Sequence, residues 1–353
     1  MVKSLGEISQ IVDARTLGDD SIQIEDAKTT LRATSRDITF AISEEHLELF
    51  LQSECLAALV PDSLDVEKFN THGKSFLVVK KVEDCFAKTV SIFRPPIQRN
   101  RIGISQAACI AASAQIAEDV DIYPGAYIGE NVKIGCGTVI HPNVTVMDGS
   151  TIGANSILFP SVTIYECTMI GDRCILHGGA VIGAYGFGYK SSKTHELSAQ
   201  LGNVVIGNDV EIGSNTTIDR GTYDSTTIGD GTKIDDLVMI GHNCQIGKHN
   251  LLCSQVGIAG STTTGDYVVM AGQVGIGDHL HIGDKSVLGA QSGVMHNLPG
   301  NQTYLGSPAI PSRQQMQIFG IINKLPDIRK QLRALQKLVD AHFSPSKSKN
   351  EAA

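Results

Sequence analysis

The sequence contains no tryptophan and only 5% aromatic residues, so its core must be built from aliphatic side chains rather than large rings. No apolar run is long enough to cross a membrane, and no secretory signal is read at the start, so no membrane span is expected. Basic residues are in deficit, 29 against 37 acidic, and the formal net charge of -8 argues against general nucleic-acid binding. The eight cysteines show no zinc spacing. Cys174 and Cys244 fall in small inward slots of the pattern below, and Cys136, Cys167 and Cys253 in partly exposed ones. A reduced, cytoplasmic chain is the expectation.

What the sequence has in abundance is a six-residue period. Branched aliphatics recur at Ile110, Ile116, Ile122, Ile128, Ile134, Ile140, Val146, Ile152, Leu158, Ile164, Ile170, Leu176 and Ile182. The series resumes at Ile206, Ile212 and Ile218. After a four-residue insertion it runs from Ile228 to Val294, broken in type at Thr264 and Met270. Neither a helix nor an ordinary strand sustains that period, whereas a parallel β-helix does, each hexad forming one short strand and turn. Four residues after each aliphatic comes a second inward position, small or β-branched, with Asn250 and Leu280 as exceptions. Three hexads close one coil, which predicts about nine coils at roughly 4.8 Å, a prism on the order of 43 Å tall. The repeat does not reveal the handedness of the coil.

The prism is expected over 101–306, with an extruded loop at 183–204 where Gly-rich and then polar sequence interrupts the hexads. Residues 1–100 read as an α/β domain. Leu5, Ile8, Ile11 and Val12 have helical spacing, Ile38 to Ile42 and Phe76 to Val79 read as strands, and Leu47 to Ser53 as a helix between them. Pro95-Pro96 marks the linker. Over 307–353 apolar residues recur at helical spacing, from Met316 through Phe319, Ile322 and Leu332 to Val339, with Pro326-Asp327 predicted to split the stretch in two. Arg313, Lys324, Arg329, Lys330, Arg333 and Lys337 lie among them, fitting an oligomerisation helix, a landing site for an acidic partner, or both.

Coil arithmetic singles out two histidines. Gly260 lies 18 residues after His242, one complete coil, and should stack beside it; His279 lies 37 after His242, two coils plus one residue. An outward imidazole can accept a proton near neutrality, and a backbone N–H beside a glycine can hold an oxyanion, so the pair fits an acyl-transfer site. On the hexads alone, an outward histidine is more often a solvent-facing turn residue, and His141, His177, His249, His281 and His296 have less to set them apart. His242, His279 and His281 could also approach one another across a subunit interface to hold a metal.

The stretch Ile234-Asp235-Asp236 through Gly241-His242-Asn243, the loop Gly186-Phe187-Gly188-Tyr189, and Asn215-Thr216-Thr217-Ile218-Asp219-Arg220-Gly221 narrow the choice. With Asp37-Ile38-Thr39-Phe40, Gly257-Ile258-Ala259-Gly260-Ser261 and the hexads, the chain resembles the UDP-3-O-(3-hydroxyacyl)glucosamine N-acyltransferases of lipid A synthesis over almost its whole length. Hexads are shared by many acyltransferases; this N-terminal domain with these motifs is specific. The resemblance implies a left-handed parallel β-helix, a homotrimer, and UDP-3-O-(3-hydroxyacyl)-α-D-glucosamine as acceptor through its 2-amino group. The implied donor is an (R)-3-hydroxyacyl thioester on acyl carrier protein, docked by the basic C-terminal helices, with no metal and no enzyme-bound cofactor.

Residue by residue, the resemblance implies His242 as general base, Gly260 as oxyanion amide, and His279 as a second active-site histidine that orients substrate or stabilises charge. Residues 1–100 would bind uridine, with Phe40 stacking on uracil; the family's Asn is Ser43 here and its Tyr is His46. An Asp-Asn pair at the sugar reads Asp235-Asp236. Met295 and His296, the latter replacing an Arg of some members, fall where relatives limit or contact the acyl chain, in a groove between two prisms. Three other classes use comparable scaffolds. The sister O-acyltransferase of UDP-N-acetylglucosamine lacks residues like 1–100, a carbonic-anhydrase-like trimer would carry zinc, and an ice-binding β-helix would need a repeated threonine array where only Thr262, Thr263 and Thr264 cluster.

Overall fold

A computed structural model describes residues 2–69, 71, 73–95, 101–191 and 194–343. The chain divides into two compact units, Met1–Asn100 and Arg101–Ala353. The linker reading at Pro95-Pro96 falls partly outside the described residues, as do Ser192 and Lys193 of the loop.

In the first unit, the central strand Ala57–Pro61 is a continuous apolar run because it is buried on both faces of a five-stranded sheet. It pairs in parallel with Asp37–Phe40 and with Ser75–Val79. Ala57 and Leu59 face one cluster, built with α1 (Leu5–Val12) and with Val82 at the start of α3 (Val82–Phe93); Ala58 and Val60 face the other, against Leu47 and Phe50 of α2 (Glu44–Gln52). The two expected helices are present, and the two expected strands flank the central one. Ala57–Pro61 was not anticipated, since a short run without alternation carries no period to read; α3 was missed although Val82, Phe86, Val90 and Phe93 stand at helical spacing.

The second unit is a stack of coils whose strands form three parallel sheets. The first runs from Cys109–Ile110 to Gly293–Val294 in ten strands, the second from Gln115–Ile116 to His281–Ile282 in nine, and the third begins at Asp121–Ile122 and ends beyond Thr303–Leu305. Register confirms the coil length: Ile240 pairs with Ile258, and Ile258 with Ile276. The aliphatic ladder is the core, from Ile122 at 0% exposure onward. The stack continues past Val294, because Leu298 bridges Ile282 and Tyr304 pairs with Leu288 at a shortened spacing that the period conceals.

Two exceptions in the hexads account for each other. Asn250, at a small inward position, donates from Nδ2 to Thr264 Oγ1 at 2.7 Å and accepts the Val268 N–H at 2.6 Å. Thr264 stands where an aliphatic was due, so one polar residue inside the prism is satisfied by the other.

The extruded loop leaves the first sheet at Ala184, forms the hairpin of Tyr189–Ser191 and His195–Leu197, and returns at Val204. Buried Arg220 ties down its base, donating to Gly183 O and Glu166 O at 2.9 and 2.8 Å. At the C-terminus come α4 (Ser312–Ile322) and α5 (Leu325–Phe343). The break lies at Asn323-Lys324, not at Pro326-Asp327. Pro326 sits in the first turn of α5, where a missing N–H leaves no bond unmade. These helices cluster with the prism in the second unit, and their apolar residues are exposed, Leu332 at 64% and Leu335 at 58%. Among the described residues no helix is long and apolar enough to cross a membrane.

Candidate active site

A cavity of about 750 Å³ lies along the first sheet and the corner that follows it. Its floor consists of stacked columns, one residue per coil, roughly 4.8 Å apart. One column runs Met239, Gly257, Gly275, Gly293, and the next Asp219, Gly241, Ala259, Gly277, Met295, by the pairing of the strands beneath them. The third holds His242, Gly260 and Asp278, with His279 one residue further on.

His242 is wedged between two glycines. A Cβ on Gly260 would lie 2.7 Å from His242 Cε1 and 2.8 Å from Nε2, and one on Gly186 of the extruded loop 2.6 Å from His242 Cβ. Neither position tolerates a side chain while the imidazole stays in place. The ring's tautomer follows from its neighbour. Asn243 Oδ1 accepts the Thr222 N–H at 3.0 Å, which identifies it as the amide oxygen. His242 Nδ1, 3.0 Å from that same oxygen, therefore donates, which leaves a lone pair on Nε2, while Gly260 lies against the Cε1–Nε2 side of the ring.

Among the described residues the Gly260 N–H has no acceptor either. At comparable corners the N–H of Glu130, Lys248 and Asp266 is capped by the carboxylate one coil on, at 2.7 to 2.8 Å. Gly260 makes no such bond among the described residues, and Asp278, one coil on, has its Oδ2 3.2 Å from His279 Nδ1. His279 lines the cavity but is 73% exposed, a looser placement than that of His242.

Two residues with no assigned role in the sequence reading complete the site. Asn243 sets the tautomer. Asp219, 4% exposed on the cavity floor, has its carboxyl pushed up to about 6 by burial, against an opposing pull from His242. Both follow or touch the four-residue insertion after Ile218, so the break in period was the available signal. Cys244 is no nucleophile. Burial pushes its thiol up to about 11, and its Sγ donates to Ala259 O.

The remaining expected residues lie elsewhere. Met295 is at the far end of the cavity, whereas exposed His296 does not line it. Asp235 and Asp236 are one corner earlier in the coil, in a second cavity of about 490 Å³ on the third sheet. There they also brace turns, Asp236 accepting the Ser214 N–H at 2.6 Å and Asp235 the Ser254 N–H at 3.0 Å. In the first unit Phe40 is half-buried with its ring 4.7 Å from that of Phe86, Ser43 caps α2 by accepting the His46 N–H at 3.2 Å, and His46 is exposed. His281 belongs to the second sheet, with Nδ1 2.8 Å from Thr263 Oγ1, and no cluster of three metal-type ligands occurs among the described residues.

The repeat and this site define a hexapeptide-repeat transferase: the bacterial transferase hexapeptide model matches 125–159, 149–184 and 225–260, and the hexapeptide repeat of succinyl-transferase matches 203–235. A Rhodopirellula baltica protein named UDP-3-O-acylglucosamine N-acyltransferase is 50% identical over 87% of this chain and 79% of its own length. One of the same name from Syntrophus aciditrophicus is 45% identical over 99% and 96%. The chain belongs to the UDP-3-O-acylglucosamine N-acyltransferase family. The solved Arabidopsis UDP-N-acetylglucosamine acyltransferase, 23% identical with a TM-score of 0.54 over 70% of this chain and 86% of that one, shares the fold.

Proposed function

We propose that this chain transfers an (R)-3-hydroxyacyl group from acyl carrier protein to the 2-amino group of UDP-3-O-(3-hydroxyacyl)-α-D-glucosamine, acting as a cytoplasmic homotrimer. The family membership supports the acyl transfer. One geometric observation supports the assignment of roles: an imidazole with Nε2 free stands beside an uncapped Gly260 N–H. The nitrogen of the acceptor attacks the thioester carbonyl while His242 Nε2 takes its proton. The Gly260 N–H receives the developing oxyanion, an interaction worth roughly 3–4 kcal/mol at comparable sites. His242 then returns the proton to the departing thiolate, and His279 orients substrate at the cavity edge.

The acyl chain lies along the glycine column toward Met295. Uridine is assigned to Phe40, Ser43 and His46; the Ser43 oxygen accepts the His46 N–H at the start of α2 and keeps its O–H to donate. The acidic carrier protein meets Arg329, Lys330 and Arg333 on α5, so its KM should rise with salt; a KM independent of ionic strength would remove those residues from docking. The test of the base is His242→Ala. The variant, folded and assembled as the parent, should lose at least about 100-fold in kcat at saturating donor, and near-parental turnover would refute the assignment.

A further inference from the structure

Acylating an amine poses a proton problem that one imidazole does not solve. At neutral pH the acceptor arrives largely as an ammonium, since amines of this kind titrate near the α-amino range of roughly 7.7–8. The balanced reaction is R–NH3+ plus R′C(O)–SR″ giving R–NH–C(O)R′, R″SH and a proton. The nitrogen loses two protons, one before it can attack and one as the C–N bond forms. His242 can take the second and return it to sulfur. The first goes either to solvent, which leaves only the minor free-amine fraction to react, or to a second acceptor in the site.

We infer that Asp219 is that acceptor: it binds the ammonium of the sugar at the floor of the cavity and takes its first proton, leaving His242 the second. The inference rests on the reading of the acceptor as an amine. Asp219 shares the cavity with His242 and is 4% exposed. Above it in its column stand Gly241, Ala259 and Gly277, so no bulky side chain separates the carboxylate from the place where the acceptor nitrogen must sit.

Among the described residues Asp219 also has no fixed cation. The adjacent Arg220 turns its guanidinium to Gly183 O, Glu166 O and the Glu166 carboxylate. The other titratable groups facing this end are His242, Cys244, Asp278 and His279, and of these only His242, in its protonated form, draws the Asp219 carboxyl toward its charged form. A buried carboxylate without a counter-ion favours a cationic ligand. Burial holds it at about 6, within reach of an ammonium donor and low enough to release the proton to solvent afterwards. The column thus has an acidic end for the amine and an apolar end, at Met295, for the chain.

The test is kcat/KM for the UDP-sugar acceptor against pH, at saturating donor, in the parent, Asp219→Asn and His242→Ala. Asp219→Asn should lose about 100-fold near pH 6.5 and recover to within a few-fold near pH 9, where the acceptor arrives as free amine. His242→Ala should be impaired throughout. A loss in Asp219→Asn that is the same at every pH, or no loss near pH 6.5, overturns the role of Asp219 while the His242 assignment stands; an active His242→Ala overturns both. Should Asp219→Asn not fold, the parent alone decides. An acceptor analogue bearing hydroxyl at carbon 2 should bind at least about tenfold more weakly than the amine near pH 7, and equal binding overturns the inference.

Discussion

His242 is held by groups that each do one thing: Asn243 fixes the tautomer, and Gly186 and Gly260 confine the ring, while buried Asp219 lies on the same cavity floor. The same carboxyl has a consequence for stability. Its folded value of about 6 exceeds the ordinary 3.8, so the folded chain holds that proton more tightly than the unfolded chain does. The associated stability is fully present below about pH 3.8 and is lost as pH rises through about 6. Asp219→Asn, which keeps the shape and removes the charge, should therefore raise Tm near pH 8 by an amount equivalent to at most about 3 kcal/mol and leave it unchanged near pH 4. Melting curves at both values decide; an equal shift at the two would show that burial of the charge is not the cause. His242 and Gly260 were legible in the sequence because both lie on intact coils, where counting by 18 works. Asp219 was not, because it stands at the edge of the insertion, where counting stops.

At the level of elements, the glycine column of the first sheet separates folding from function. Most glycines of the prism are compelled by a positive φ or by backbone within 3 Å, as at Gly213. Gly257 and Gly275 are under neither compulsion, since a Cβ at either would meet nothing within 4 Å. The chain's own packing does not need them bare, so the space they leave is open to the acyl chain proposed above. Gly275→Leu should leave Tm nearly unchanged yet lower kcat/KM for the longest hydroxyacyl donors by about tenfold or more, with shorter donors spared. Product analysis from a mixed donor pool would show it, and a uniform loss across chain lengths would place the acyl group elsewhere. The hexads made these outward positions readable, whereas the first unit's middle strand escaped notice because burial on both faces erased its alternation.

At the level of the whole molecule, the separation of the two cavities carries the argument. Asp235 and Asp236 sit at the corner between the third and first sheets, His242 at the corner after the first, so one prism presents them on different sides. Both aspartates are exposed, and the apolar residues of α5 are exposed as well, which fits copies standing side by side with α5 covered in the assembly. In a cyclic homotrimer the aspartate corner of one copy would complete the His242 cavity of the next. That arrangement predicts complementation. His242→Ala and Asp235→Ala, each assembled alone, should be inactive, because every site then lacks one partner. Co-expressed and mixed at random, neighbouring copies pair an intact His242 with an intact Asp235 in roughly a quarter of the sites, so about that fraction of parental activity should return. Differently tagged chains purified over both tags would isolate the mixed assemblies. If activity does not return in them, the site is confined to one copy; if Asp235→Ala is active by itself, that carboxylate serves only to brace its turn.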